Sequence, residues 1–444
     1  MGKLRWAKGI LAAYFGLVLS VSAAPVWDKP CVATQPDGTT LQCRAFGDEF
    51  VNFIEFNGYT IVKDDVSKTW FYAMTDATGT TLIPSGLRPG IDSPAEAGLA
   101  THLRSSDAAQ SSERAAGRRA RSGARGSEIY NLTGSRKGVT ILVNFPEETT
   151  AITTTQVNSY LNQEGYTEFG NTGSVRDYFK AMSQNRFDFT NTVIGPYTAK
   201  KSKAYYNDNK DGGAAELVNE ALDWAKNTQK FDFSTCDGDS DGKIDAISFF
   251  YAGEATADKA LWPHQSSVQD FSSNGKTAKY YQITNIGTKL TIYTFAHECM
   301  HMLANADDLY DTSYRSSGVG QWCLMSGAPQ DEAKAQKVCA YLRARAGWME
   351  LTEAANGGAF ELNGTTGNAL VYRKSSTEYF VIENRQKAGW DVLLPGSGII
   401  IYHCDNNGSN ANPEGTAEKH YECAIMQADG KKDLEKNANS GDAG

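Results

Sequence analysis

Thr294-Phe295-Ala296-His297-Glu298-Cys299-Met300-His301-Met302-Leu303 is the stretch on which the fold turns. An α-helix turns once in roughly 3.6 residues, so His297 and His301 share one face, a turn apart, and both imidazoles can reach one metal ion. Glu298 stands beside them, placed to take a proton from a water at that metal. Two histidines bracketing a glutamate in this spacing is the pattern in which metal-dependent hydrolases use the glutamate as a base and not as a ligand. Ile292, Phe295, Cys299, Met302 and Leu303 recur at helical spacing, which predicts one packed face and one chemical face. A core helix with two incidental histidines is the bland reading of the same residues.

The surroundings narrow the choice. With 444 residues the chain has room for two or three domains, and 41% apolar with 21% charged residues describes neither a disordered nor a membrane-embedded protein. A formal charge of −9 argues against a general nucleic-acid binder. Lys3, Arg5 and Lys8 precede an apolar run from about Gly9 to Val21, and Val21-Ser22-Ala23 suits cleavage after Ala23. Residues 1–23 are therefore expected to be a signal peptide, and the mature protein to be secreted with no membrane span. Export gives the eight cysteines a meaning: Cys31 with Cys43, and Cys404 with Cys423, are the local pairs expected to close as disulfides. There is no C-x-x-C pair to make a thiolate zinc site.

Residues 24–94 are expected to form a small β-rich unit, marked by Asn57-Gly58 between the apolar runs Phe50–Phe56 and Tyr59–Val62, with Trp70–Ala73 as a further strand. Residues 95–127 are rich in Ala, Ser, Gly and Arg, with Arg104, Arg114, Arg118, Arg119, Arg121 and Arg125 closely spaced. They predict a flexible linker open to processing by an activating protease. From 128 to 444 strands and helices mix: strands at Gly138–Phe145, Phe187 and Ile244–Tyr251, helices at Val175–Phe179 and Ala214–Ala225, then clear strands at Tyr379–Glu383 and Ile399–His403. That order predicts an α+β catalytic domain with a mixed sheet, the metal helix and a β-rich C-terminal part.

A catalytic zinc takes three protein ligands and leaves one position for water. Beyond the helix the chain reads Ala304-Asn305-Ala306-Asp307-Asp308-Leu309-Tyr310-Asp311, so carboxylates stand where a third ligand is needed. His297-Glu298-Cys299-Met300-His301 followed by Asp308-Leu309-Tyr310-Asp311 resembles the immune-inhibitor-A-type family of secreted zinc metallopeptidases. Gly318-Val319-Gly320-Gln321-Trp322-Cys323-Leu324-Met325-Ser326-Gly327 is similar to that family's methionine turn. Further matches are Ser174–Phe179, Gly195-Pro196-Tyr197, Leu261-Trp262-Pro263-His264, Glu378–Arg385 and Leu394–Gly398. The resemblance implies a metzincin-like domain, a His, His, Asp zinc site with Met325 packed beneath it, and a propeptide in the preceding β unit. This chain departs from the family at the helix exit, which usually carries Gly. Counted forward from the histidines the exit is Ala304 and the ligand Asp307; counted backward it is Asn305 and the ligand Asp308. Asn tolerates the left-handed conformation and Ala does not, which favours Asp308.

Asp237-Gly238-Asp239-Ser240-Asp241-Gly242-Lys243-Ile244-Asp245 places carboxylates at alternate positions with Gly sixth, like the first half of an EF-hand loop. Asp237, Asp239, Asp241, Asp245 and the Lys243 backbone are the expected calcium ligands, although Ser248 stands where the loop's usual twelfth-position Glu would be. His264 and His403 are expected to be structural, and Tyr310 to be packed. The function that follows is an exported zinc endopeptidase made as a zymogen and acting on proteins or peptides, with calcium as a structural ion. The rival from another class is a non-catalytic metal-binding surface or adhesion protein, which would have no need of Glu298.

Overall fold

The computed structural model describes residues 26–48, 51–106, 108–110, 112, 131–209, 212–255, 260–268, 270–311, 316–354, 358–364, 367–410 and 420–436. The expected signal peptide and most of the arginine-rich stretch, from Arg114 to Arg125, lie outside these residues.

The first unit is an antiparallel sheet whose six strands follow one another in sequence order: β1 (Val26–Thr34), β2 (Thr40–Gly47), β3 (Asn52–Phe56), β4 (Tyr59–Lys63), β5 (Trp70–Thr75) and β6 (Leu82–Pro84). Asn57 and Gly58 join β3 to β4 with φ of 51° and 80°, the positive pair that lets a two-residue turn follow strand twist. Its buried face carries Leu41, Ala45, Ile54, Ile61, Trp70 and Tyr72, and the same apolar cluster runs on into Ala255 and Trp262 of the second unit. The start of the expected linker lies against this sheet. Thr60 Oγ1 donates to Leu103 O at 2.7 Å, and Arg104 pairs with buried Glu55 at 2.7 Å.

The second unit is built on a mixed sheet of β7 (Gly134–Asn144), β8 (Phe187–Thr198), β9 (Ala246–Ala252), β10 (His264–Ser267) and β13 (Tyr280–Ile286), with the short hairpin β11 (Ser272–Ser273) and β12 (Lys276–Thr277) beside it. The strand order is β10-β13-β9-β7-β8, parallel except for the β10 edge. Parallel neighbours need crossovers, and helices supply them: α1 (Thr154–Asn162) and α2 (Val175–Met182) between β7 and β8, α3 (Lys203–Asp208) and α4 (Gly213–Asn227) between β8 and β9. Thr153 with Gln156, and Ser174 with Asp177, cap α1 and α2 reciprocally. Along β7, Val139, Ile141 and Val143 join the core with Leu217, Val218 and Ala221 of α4, while Leu142 joins Val157, Tyr160 and Phe179 of α1 and α2. Helices thus cover both faces, and this sheet is α/β in kind where a looser α+β mixture was expected. Strand β9 begins two residues later than Ile244, because the Ile244 and Asp245 amides donate to Thr277 O and Cys236 O instead.

Helix α5 (Ile292–Cys299) follows β13, and α6 (Ala340–Arg345) leads into a third sheet, β14 (Leu351–Glu353), β15 (Ala369–Arg373), β16 (Glu378–Arg385), β17 (Gly398–Asp405) and β18 (Cys423–Ile425), in that order. Strand β16 alternates, turning Tyr379, Val381, Glu383 and Arg385 inward. Arg385 is buried; it donates to both carboxylate oxygens of Asp391 at 2.9 and 2.6 Å and to Trp322 O at 2.7 Å. Glu383 accepts from Arg343 at 2.6 Å and from Arg385 at 3.2 Å. Buried charges survive only when paired this fully, so the network fixes the third sheet against the segment that begins at Trp322. Among the described residues no helix is long and apolar enough to cross a membrane.

Candidate metal centre

Helix α5 is buried on every side, chemical face included, and not amphipathic as the apolar stripe suggested. Its continuation, Met300–Ala304, widens into a π-type turn, a distortion common at functional sites. Asn305 then takes up the left-handed conformation, φ 55° and ψ 30°, with its N–H on Met300 O. The turn therefore falls on Asn305 and not on Ala304. A short polar side chain makes that conformation accessible without Gly.

This exit brings Asp308 back over the helix. Asp308 Oδ1 lies 3.2 Å from His297 Nε2 and 3.2 Å from His301 Nε2, and the two Nε2 atoms are 3.1 Å apart. Asp307, the alternative ligand, is half-buried. The opposite ring nitrogens settle the chemistry. His297 Nδ1 donates to Leu324 O at 3.0 Å and His301 Nδ1 to Ala306 O at 2.7 Å. Both Nε2 atoms of neutral rings are then lone-pair acceptors, as is Asp308 Oδ1, and the three converge in a dry interior. Acceptors at this separation repel unless a cation lies among them. Backbone carbonyls behind ligating imidazoles are the usual orientation device at zinc. The residues present fit the metal that the helix motif implies.

Without a metal the same geometry calls for a proton. Burial, the largest influence on His297, lowers its pKa, but the hydrogen bond and charge of Asp308 outweigh it and lift the ring to about 9. Burial likewise raises Asp308, and the two imidazoles overcome it to hold the carboxyl well below its ordinary value. Glu298 stands with the two histidines, its ligand atom within 4.8 Å of theirs. It is buried, and its Oε2 has no protein hydrogen-bond partner. A base needs that freedom. Met325 is wholly buried; its carbonyl accepts from Leu309 N at 2.6 Å, next to the Leu324 carbonyl that holds His297. Segment 324–325 thus anchors both the helix ligand and the loop after Asp308.

At the acidic loop the structure gathers Asp237, Asp239 and Asp245, with ligand atoms within 4.8 Å of one another. Gly242 carries the expected positive φ of 88°. Asp241 is turned aside to Lys243, while Lys276 pairs with Asp237 at 2.6 Å and Arg136 with Asp239 at 2.8 Å. Burial pushes Asp245 up to about 6, against amide hydrogen bonds from Lys137 and Gly238 that lower it. Lys243 sits in a bridge to Thr277 through its backbone, and Ser248 lies inside β9. The sequence pattern did not foresee Arg136 and Lys276, because they come from distant segments.

Other expectations fall into place by position. His264 Nδ1 contacts Trp262 O at 2.6 Å and Nε2 contacts Tyr281 Oη at 3.1 Å, a structural arrangement. Cys31 lies directly across from Cys43, and Cys404 from Cys423 with sulfurs 4.0 Å apart. A third neighbour pair, Cys323 and Cys339, was not foreseen; the Cys339 amide donates to Cys323 Sγ at 3.3 Å.

A family model described as the immune inhibitor A peptidase M6 catalytic domain matches residues 153–351, a span holding α1 to α6, the helix motif and the methionine turn. No curated protein matches the chain. Because His297 of the metal-free protein holds a proton up to about pH 9, zinc uptake near neutral pH should release about one proton. Calorimetric binding heats measured in two buffers of different ionisation enthalpy should therefore differ by that amount per zinc; identical heats would contradict it.

Proposed function

We propose that the M6 metallopeptidase domain of this chain works as an exported zinc endopeptidase made as a zymogen, with His297, His301 and Asp308 as metal ligands and Glu298 as general acid–base. The convergence of three buried acceptor atoms, 3.1 to 3.2 Å apart, carries this reading. Bound zinc supplies a Lewis acid that polarises a peptide carbonyl and lowers the pKa of water to about 7. Glu298 takes the proton of the attacking water and passes it to the leaving amine. Leu324 O and Ala306 O hold the imidazoles in the tautomer that leaves Nε2 free for the metal. Replacing Glu298 by Gln should leave zinc content unchanged and lower casein cleavage by about 10²–10⁴-fold. Equal cleavage by the two proteins would remove Glu298 from the mechanism.

Latency is supported by what the first sheet touches. Its apolar cluster includes Trp262, Lys63 reaches Asp208 at 3.7 Å, and buried Asp48 lies 3.5 Å from the hydroxyl of Tyr310, two residues from Asp308. Asp48 is presented by a tight bend: Gly47 has φ 116°, and a Cβ there would meet Val51 O at 2.3 Å. The first sheet would keep substrate from the metal until the arginine-rich stretch is cut. Export is supported by the N-terminal pattern and by the neighbouring cysteine pairs. Protein recovered from the medium should begin at Ala24 and gain about tenfold or more in activity when cut between residues 113 and 130. An uncut chain as active as the cut one would refute latency, and retention inside the cell would refute export.

Calcium at Asp237, Asp239 and Asp245, with Asp241 and the Lys243 carbonyl completing the shell, is proposed on the grouping of the carboxylates and on the left-handed Gly242. It would stiffen the domain, and Lys276 would have to yield Asp237. At about 100 times its dissociation constant calcium would add about 2.7 kcal/mol of stability. The thermal midpoint of chelator-treated protein should rise on adding calcium, and should not rise in Asp239→Ala; an unmoved wild type would sink the assignment.

A further inference from the structure

Away from the centre already described, one other cluster sets imidazoles among carboxylates. Strands β16 and β17 pair with Glu378 opposite Asp405 and Phe380 opposite His403. Opposite residues and those two apart share a face, so Glu378, His403 and Asp405 all project from one side of the sheet. His420 arrives just before β18, where its carbonyl accepts from Ser409 N at 3.1 Å and the neighbouring Glu422 carbonyl from Asp405 N at 3.0 Å. His403 Nε2 lies 2.9 Å from Glu378 Oε1. His420 Nδ1 lies 2.8 Å from Asp405 Oδ2 and 4.0 Å from Glu378 Oε1. One ligand atom each from Glu378, His403 and His420 falls within 4.8 Å of the other two. Their side chains are only 15 to 21% exposed, shielded yet open to an ion from solvent.

Two carboxylates directly opposite on neighbouring strands repel. Lys374 answers part of this, bonding both carboxylate oxygens of Glu378 at 2.9 Å, and it would have to yield Oε1 to an ion. Asp405 spends Oδ1 on the Asn407 amide at 2.9 Å and keeps Oδ2 toward His420. What remains is two ring nitrogens and one carboxylate oxygen gathered around one place, with Asp405 Oδ2 beside them on His420 Nδ1. That donor set suits a four-coordinate dication of the zinc type, and it is poor for calcium, which takes oxygen ligands.

We propose that Glu378, His403 and His420, with Asp405, form a second, structural transition-metal site, of which zinc is the natural occupant. With Asp405 turned in as the fourth donor, no position would stay open for substrate or water. The ion would tie β16 and β17 to the chain entering β18, and so close the connection between residues 405 and 423. Within that connection Asn410 Nδ2 donates to Leu309 O at 2.9 Å and to Cys423 O at 2.9 Å, and its Oδ1 accepts from Cys423 N at 3.0 Å. Leu309 follows Asp308 directly. The second ion would therefore hold in place the loop that braces Asp308, the third ligand of the metal centre.

The test is a zinc count on the full chain, stripped of metal, reloaded with zinc and dialysed. Wild type should retain two equivalents, His403→Asn/His420→Asn one, and His297→Ala/His301→Ala one. A wild type with a single equivalent, or a His403/His420 variant that still holds two, overturns the proposal. Should the double replacement fail to fold, cobalt substitution of His297→Ala/His301→Ala gives an independent readout. Visible ligand-field bands of tetrahedral intensity should appear there and vanish when Glu378→Gln is added; their absence, or their survival in Glu378→Gln, counts against the site. A single retained zinc that is lost with His297 and His301 would leave the peptidase reading intact, so the two proposals fail separately.

Discussion

Three lone pairs that cannot tolerate one another set the terms for this structure. His297 Nε2, His301 Nε2 and Asp308 Oδ1 meet in a buried space at 3.1 to 3.2 Å, each turned there by a hydrogen bond or a backbone turn behind it. The arrangement is stable only with positive charge at its centre, whether a proton or a metal ion. Much of the surrounding fold keeps it from relaxing. The π-type turn and left-handed Asn305 swing the chain back, Leu324 O and Ala306 O lock the rings, and the Met325 carbonyl receives the amide after Asp308.

That strain is confined by packing from two sides. Strands β7 to β9 and helices α1 and α2 enclose α5, with Tyr160, Phe250 and Phe295 in mutual ring contact at 5.1 to 6.0 Å. On the other side the third sheet reaches in through charge. Arg385 ties β16 to the Trp322 carbonyl, and Asn410 ties the β17–β18 connection to the Leu309 carbonyl. The C-terminal sheet is therefore part of the machinery that places the ligands, although it lies largely beyond the matched catalytic segment. A first sheet that also contacts Tyr310 approaches the same loop from a third direction.

Local pattern made a good part of this legible. The Asn57-Gly58 turn, the strand β7, the periodicity of α4 and the strand β17 depend on neighbours in sequence, and they stand where the residues indicated. What was misread depended on distant partners. Arg104 looked like linker because Glu55, its buried counterpart, lies in another strand. Helix α5 looked amphipathic because its polar residues are buried around a metal centre. The ion pairs that Arg136 and Lys276 make with the acidic loop were hidden because both residues are far away in the chain. His403, unremarkable at the end of a strand, gained meaning only when register set it beside Glu378 and the fold delivered His420.

By itself the sequence determined the helix that presents His297, Glu298 and His301, because spacing along a helix is a local property fixed by backbone geometry. It also narrowed the helix exit to Ala304 or Asn305 and the carboxylate to Asp307 or Asp308. Choosing between them depended on where the chain must go next. Asp308 reaches the imidazoles only if Asn305 turns left-handed and residues 324–325 are there to receive the returning loop. That reception is the contact of Leu309 N with Met325 O, sixteen residues on, which local sequence does not dictate and the tertiary structure sets.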